Sequence, residues 1–355
     1  MIAYWLMFLP AAAVALAERS RERSHRDRLG AAGVAVAIIL TVLIGYRYQV
    51  GGDWGNYIGQ FNGYRHLSIS QIVENRMDLA YALLSQFSAQ MDWGIIGVNV
   101  MCALFFSWGL VAFCRAQPRF WLALAVAIPY LVIVVAMGYT RQGVAIGLAM
   151  LALRALGERS NVKFALWIIA AALFHKSAIV ILPIAILATT EKRLWTAVWV
   201  TITTGAAYSL LLADSAEKLY SAYVGAQMQS AGAVIRIAMN AVPALLFLAL
   251  RHRFDLDHAQ RRLWTWLSIF ALGSVLLLAI SPSTTAVDRM ALYFIPLQLF
   301  VFSRLPDALR RLNIGTSTSI IGVIFYYGAV QFVWLNFAAH SYAWVPYRFY
   351  LFEYL

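Results

Sequence analysis

The stretch Phe164–Ala188, FALWIIAAALFHKSAIVILPIAILA, decides how this chain is read. Apolar runs flank His175-Lys176 on both sides, and a lysine at the centre of a membrane helix costs about 2.5–3.5 kcal/mol on insertion scales. The pair is therefore either a polar turn between two short spans or a buried functional site in one long span. Neighbouring charge separates the two readings. Arg154, Arg159 and Lys163 precede the run, Lys192-Arg193 follow it, and both short basic segments belong on the cytoplasmic side. An even number of crossings is then required, so the run goes out and comes back with His175-Lys176 at its outer turn. Each half, at about 12 residues, is shorter than the ~20 needed to cross unaided, which places the turn in a recess below the outer surface.

Working outward, the whole chain of 355 residues is 62% hydrophobic and 12% charged. Such a composition excludes an ordinary soluble domain and predicts an all-α, polytopic transmembrane bundle forming one membrane-embedded domain over residues 1–355. Further spans are expected at Ile2–Ala17, Leu29–Tyr46, Trp93–Cys114, Phe120–Tyr139, Arg141–Leu156, Leu194–Leu212, Ala233–Leu250 and Leu263–Ile280. Beyond them, a helix headed by Asp288-Arg289 runs to Arg304, and Ile314–Leu335 is the last span. With the two short segments around His175-Lys176 this makes about 12 membrane segments. Residues 47–92 form an outer loop with amphipathic helices, 213–232 a second outer loop, and 336–355 an outer, aromatic tail.

The net charge of +12 comes from basic residues scattered between apolar runs, with no stripe on one soluble face, so nucleic acid is not expected as a partner. In the twelve-segment topology 19 of the 28 Lys and Arg fall in short cytoplasmic segments, as orientation by positive charge requires. Cys102 and Cys114 stand on one helix about 18 Å apart and cannot pair.

The informative cations are those that orientation does not explain. Arg47, Arg65, Arg76, Arg141, Lys176, Lys218, Arg236, Arg289 and Arg348 all fall on the outer side. Several stand beside polar neighbours at the outer ends of spans, in Tyr46-Arg47, Tyr139-Thr140-Arg141-Gln142, Phe174-His175-Lys176-Ser177 and Val287-Asp288-Arg289. Individually each is either an interfacial snorkelling cation, a member of a structural ion pair or an anion ligand. Together, four segments remote in sequence bring cations to one membrane face, and a cavity lined this way suits a phosphate or pyrophosphate held by guanidinium forks. Arg141 and Arg289 are expected at helix starts, where the backbone dipole adds to the attraction. Asp288 is read as the salt-bridge partner of Arg289 or a helix cap.

Asp53, in Val-Gly-Gly-Asp-Trp-Gly-Asn-Tyr, either makes an Asx-type turn into the next helix or offers a carboxylate that takes a proton from a sugar hydroxyl. His175 offers the same chemistry, since neighbouring cations keep its imidazole neutral. Glu74 and Asp78 read as residues of a solvated helix face. No metal-ligand spacing, nucleophile elbow or glycine-rich phosphate loop occurs, and Gly143 to Gly147 reads as a helix-packing pattern.

These motifs resemble the EpsG-like family of exopolysaccharide polymerases, related in role to the Wzy polymerases. The matching residues are Arg47 with Gly52-Asp53 and Tyr57, Arg141-Gln142, Phe174-His175-Lys176-Ser177 with Pro183, Asp288-Arg289 followed by Tyr293, and Pro346-Tyr347. The resemblance implies a fold like the GT-C membrane glycosyltransferases and an active face outside the bacterial inner membrane. It implies transfer of a growing glycan from undecaprenyl pyrophosphate to a sugar hydroxyl of an incoming lipid-linked repeat unit. Partners implied are the lipid-linked oligosaccharide and polysaccharide, membrane lipid and a chain-length-regulating co-polymerase. On this reading Arg141 and Arg289 hold the pyrophosphate and replace a metal, so no cofactor is expected, with Arg47 and Lys176 in support. Asp53 is the first choice of base and His175 the alternative, while Gln142, Tyr57, Asp288, Tyr293, Tyr347 and Arg348 are expected to contact substrate. The rival readings are an O-antigen-ligase-like glycosyltransferase using the same donor and a flippase or transporter of an anionic glycolipid.

Overall fold

The structure is a computed structural model that describes residues 1–19, 30–74, 78–189 and 229–353. The expected span 194–212, most of the second outer loop, Arg76, Lys218, Lys192-Arg193 and the basic residues from Arg21 to Arg28 lie outside the described residues. Everything described is helix, turn or loop, and the β-type pairing among the described residues is a single bridge between Arg47 and Phe349. Among the described residues five helices are long and apolar enough to cross a membrane: Gly94–Arg115, Ala233–Leu250, His258–Ile280, Thr284–Arg310 and Thr316–Phe337. Shorter apolar helices fill the places of other expected spans, among them Ile2–Ala17, Ala31–Gly45 and Phe120–Ala136.

Thr140–Gly157 is not among the apolar spanning helices, yet it is buried on nearly every side. A helix wrapped by protein has no need of a lipid-compatible surface, so polar groups at its head survive there. It crosses Gly94–Arg115 so closely that the two backbones nearly touch. A Cβ on Gly109 would sit 2.1 Å from the Gly147 carbonyl oxygen, and one on Gly147 would sit 2.8 Å from the Phe106 Cα. Gly143 in turn lies against Ala136. The spacing Gly143 to Gly147 thus serves close helix packing, which in a bilayer relies on van der Waals contact more than on water exclusion.

The decisive stretch is a helical hairpin. Asn161–Phe174 rises, His175 breaks the helix with extended backbone (φ −157°), and a tight turn Lys176–Ile181 leads into Leu182–Thr189. Both feet stand at the same end of His258–Ile280: Gly157 lies beside Gln260, and Arg262 donates to the Leu187 carbonyl at 3.3 Å. At 1.5 Å per residue the 14-residue rising arm spans about 21 Å against ~27 Å for Thr140–Gly157, so the tip stops just short of Arg141.

Polar residues gather at the two ends of the bundle. At one end the Glu18 carboxylate caps the helix that begins at Phe120, accepting from the amides of Phe120 (2.8 Å) and Trp121 (2.9 Å). There Arg119 pairs with Asp307 and Arg304 bonds Gln117. The other end holds the residues of interest.

Candidate functional site

The head of Thr140–Gly157 is where remote segments meet, and the loop before it explains how. Phe120–Ala127 continues as a wide π-helical segment, Ile128–Ala136, that is buried throughout. Such segments loosen the ordinary hydrogen-bond ladder, and the Ile133 carbonyl accepts from Trp344 Nε1 at 2.8 Å. Trp344 packs on Gly138, where a Cβ would lie 2.3 Å from the indole. Gly51, at φ +107°, presses on the same turn, and a Cβ there would sit 2.6 Å from the Met137 carbonyl oxygen. Only glycine tolerates that backbone conformation and contact together. As a result the loop carrying Asp53 abuts the turn carrying Tyr139, Thr140 and Arg141.

Arg141 is held within an aromatic box. Its guanidinium lies 5.8 Å from the ring centres of both Tyr57 and Tyr81, and its backbone N–H donates to the Tyr57 hydroxyl at 3.4 Å. Nη1 donates to Asp78 Oδ2 at 2.6 Å, and both side chains remain partly open to solvent. Asp78 therefore does not lie on a solvated helix face. It stands at the head of Leu79–Gln90 with its carboxylate turned to Arg141, and Lys176 also acts on it electrostatically. Burial raises the Asp78 carboxyl above the ordinary carboxylate range even though Arg141 and then Lys176 pull the other way.

Arg289 approaches from the opposite side, its guanidinium 5.7 Å from the Tyr139 ring centre. It is not at a helix start. Ser283 caps a short helix that begins at Thr284, its Oγ accepting from the Ala286 amide, so Arg289 falls in that helix's last turn. The dipole argument therefore applies to Arg141, the second residue of its helix, and not to Arg289. Just beyond, the tight turn Leu292–Phe294 changes the hydrogen-bond register, and side chains take up nearby carbonyls. Gln142 Nε2 donates to the Arg289 carbonyl at 2.6 Å, and Asn240 Nδ2 to that of Ala291 at 2.8 Å. Gln142 thus couples the two arginine-bearing helices directly, while its buried Oε1 has no protein partner.

Asp288 is paired with Arg236, not with its neighbour Arg289. Arg236 forks onto both carboxylate oxygens at 2.8 and 2.6 Å, and Ser230 Oγ adds a third bond at 2.9 Å. At 7% exposure the carboxylate is fully committed, so it anchors the helix that presents Arg289. Sequence spacing offered no sign of this pair, since the two residues are 52 positions apart.

The hairpin tip completes the group. His175 feels the charge of both Arg141 and Arg289. Its Nδ1 accepts from the Ser177 amide at 3.4 Å and lies 2.7 Å from Ser177 Oγ, which is 3.1 Å from the hydroxyl of buried Tyr293. With Nδ1 accepting, the proton sits on Nε2 and His175 offers a donor; with Nδ1 donating to Ser177 Oγ, Nε2 is the acceptor. Asp53 is half-buried just ahead of Trp54–Tyr64, and Asn56 Nδ2 donates to its Oδ1 at 3.3 Å.

Two predicted groups are engaged elsewhere. Arg47 is 1% exposed and donates to Ile44 O (2.6 Å), Asn99 Oδ1 (3.2 Å) and Thr140 Oγ1 (2.7 Å). It braces the base of the Arg141 helix from within. Tyr347 donates to the Leu43 carbonyl at 2.6 Å and Arg348 to Gln49 Oε1 at 2.8 Å, strapping the tail to the end of Ala31–Gly45. Sequence reasoning passed over Tyr81 and gave no site role to Tyr139 or Arg236, and it ranked Asp78 only as a weaker candidate on a solvated face. Their value is a matter of tertiary partners, and only the outer position of Arg236 among unexplained cations hinted at it.

No cluster of three His, Cys, Asp or Glu side chains suited to a metal occurs among the described residues. No curated protein and no solved structure matches the chain. A family model, that of the EpsG family, matches residues 31–349 and so takes in every segment of the site from Arg47 to Arg348. The match suggests a membrane-embedded, glycosyltransferase-like polysaccharide polymerase that would act on lipid-linked polysaccharide. By a correspondence that covers nearly its whole length, the chain belongs to the EpsG family.

Proposed function

We propose that this protein polymerises polysaccharide at the outer face of the bacterial inner membrane, taking the growing glycan from undecaprenyl pyrophosphate. About 12 membrane segments in a GT-C-like arrangement would carry the site, with cytoplasmic anchoring charge at the Glu18–Arg119 end. The single observation that carries the reading is the juxtaposition of Arg141 and Arg289 on helices tied together by Gln142. Two guanidinium groups facing one region suit the two phosphates of a pyrophosphate, and Lys176 adds a third cation.

In the reaction, the acceptor sugar's hydroxyl oxygen bonds the anomeric carbon of the donor glycan as that carbon's bond to the pyrophosphate oxygen breaks. The electron pair leaves with the pyrophosphate, and Arg141 and Arg289 stabilise the charge that develops there without a metal. His175, as an Nε2 donor, suits the leaving group. Asp53 takes the hydroxyl proton, because its carboxylate is engaged by Asn56 alone among the hydrogen bonds described, whereas Asp78 and Asp288 are ion-paired. Tyr57 and Tyr293 line the region, and a co-polymerase that sets chain length is the expected protein partner.

Incubating the purified protein with a synthetic polyprenyl-pyrophosphate oligosaccharide tests the class of activity by mass analysis. A ladder of repeat-length products with released carrier is expected. Unaltered substrate moved across a vesicle membrane would instead identify a flippase, and transfer to a non-repeat acceptor a ligase. In the same assay Asp53→Asn should lower turnover about 10²-fold with donor binding retained, and an undiminished rate would remove Asp53 from the role of base.

A further inference from the structure

The carboxylate of Asp78 stands where an anionic substrate would be expected. It is 2.6 Å from Arg141 Nη1, and the cations that act on it are Arg141 and Lys176, two of the three assigned above to the donor pyrophosphate. A second observation concerns its own helix. Asp78 directly precedes Leu79–Gln90, the place where aspartate ordinarily caps a helix, yet its side chain makes no capping bond. The residue has given up a local partner for a remote one, and that local position remains available to it.

We infer that Asp78 is a specificity-determining residue, a built-in carboxylate that occupies Arg141 until a pyrophosphate displaces it and that thereby excludes singly charged phosphodiesters. The inference rests on the reading that Arg141 binds the donor's pyrophosphate. A site in a bilayer is surrounded by phosphodiester headgroups at high local concentration, each carrying one negative charge. Such a group competing for Arg141 replaces one carboxylate contact with one phosphate contact and gains little. A pyrophosphate carries more charge and spans more than one cation, so it offsets the loss of the Asp78 bond. The released carboxylate then has the first-turn amides of Leu79–Gln90 to accept from, a position that the helix dipole also favours. Burial that disfavours the charged carboxylate helps to keep the Arg141–Asp78 pair displaceable.

The test uses the full-length protein in a phosphate-free detergent, titrated calorimetrically with inorganic pyrophosphate and, separately, with dimethyl phosphate as the diester probe. Wild type should bind pyrophosphate and discriminate against the diester. Asp78→Asn should bind both more tightly, the diester most, so that the preference for pyrophosphate falls roughly fivefold, the effect expected of losing one partly solvated ion pair. Asp78→Ser, which keeps the ability to cap the helix, should behave alike and guards against a folding defect peculiar to one variant. If both variants keep the wild-type preference, or bind pyrophosphate more weakly, Asp78 is not the discriminating group. In that case loss of pyrophosphate binding in Arg141→Gln would leave the donor-site reading standing. Equal pyrophosphate binding by wild type and Arg141→Gln would remove that reading and this inference together.

Discussion

Replacing Arg289 with alanine is expected to lower polymerisation about 10²–10³-fold, the loss typical when a preorganised group that stabilises developing charge is removed. The size of the effect follows from how the residue is held. Its helix is anchored through Asp288 to Arg236, its carbonyl is held by Gln142, and its guanidinium rests against Tyr139. A cation positioned by three independent contacts does not need to reorganise as the leaving group forms. Arg141→Ala should cost a similar factor, since that guanidinium is enclosed by Tyr57 and Tyr81. The measurement is repeat-length product formed per inserted protein, with insertion checked separately. Wild-type rates in both variants would end the clamp proposal. Activity should also persist in excess EDTA, whereas abolition with rescue by an added divalent metal would assign the leaving group's charge to that metal.

Gly147→Leu should fail differently, through loss of the folded bundle. The Gly147 position already sees the Phe106 Cα at 2.8 Å from a bare Cβ, and the Gly147 carbonyl is what a Cβ on Gly109 would strike. These are backbone contacts, so no side-chain rotamer relieves them, and the two helices must separate. Overpacking a core costs about 1–3 kcal/mol even where side chains can move, so this variant belongs at or beyond the top of that range. The expected result is a sharply lower thermal midpoint or loss of the monodisperse protein after detergent extraction. An unchanged midpoint would show that the helices do not cross at these glycines. Arg289→Ala, in contrast, should extract and melt much as wild type does, so the two losses of activity are separable.

Much of this was legible in the linear chain, for a stated reason. Hydrocarbon tolerates only helices with satisfied backbones, and that constraint writes itself into composition and into the placement of Lys and Arg. Hence the all-helical architecture, the positions of five spanning helices and the break at His175-Lys176 between two short helices could be read without coordinates. The EpsG resemblance was readable as well, because Arg47, Arg141-Gln142, His175-Lys176 and Asp288-Arg289 keep their order along the chain. The π-helical segment Ile128–Ala136 was not, since nothing in an evenly apolar run reports a change of hydrogen-bond register.

What the sequence by itself determined, then, is the helical membrane-protein class, the turn in the middle of the apolar run and the family. Tertiary structure alone decided how the charges are partnered. Asp288 turns to Arg236 instead of its neighbour, Asp78 leaves its own helix for Arg141, and Arg47 is drawn inward onto Asn99 and Thr140. The physical reason is that an ion pair depends on a few ångströms between side chains from helices 52 and 63 residues apart in the chain. Helix crossings at Gly109 and Gly147 and the loop contact at Gly51 set such distances, and no local spacing encodes them.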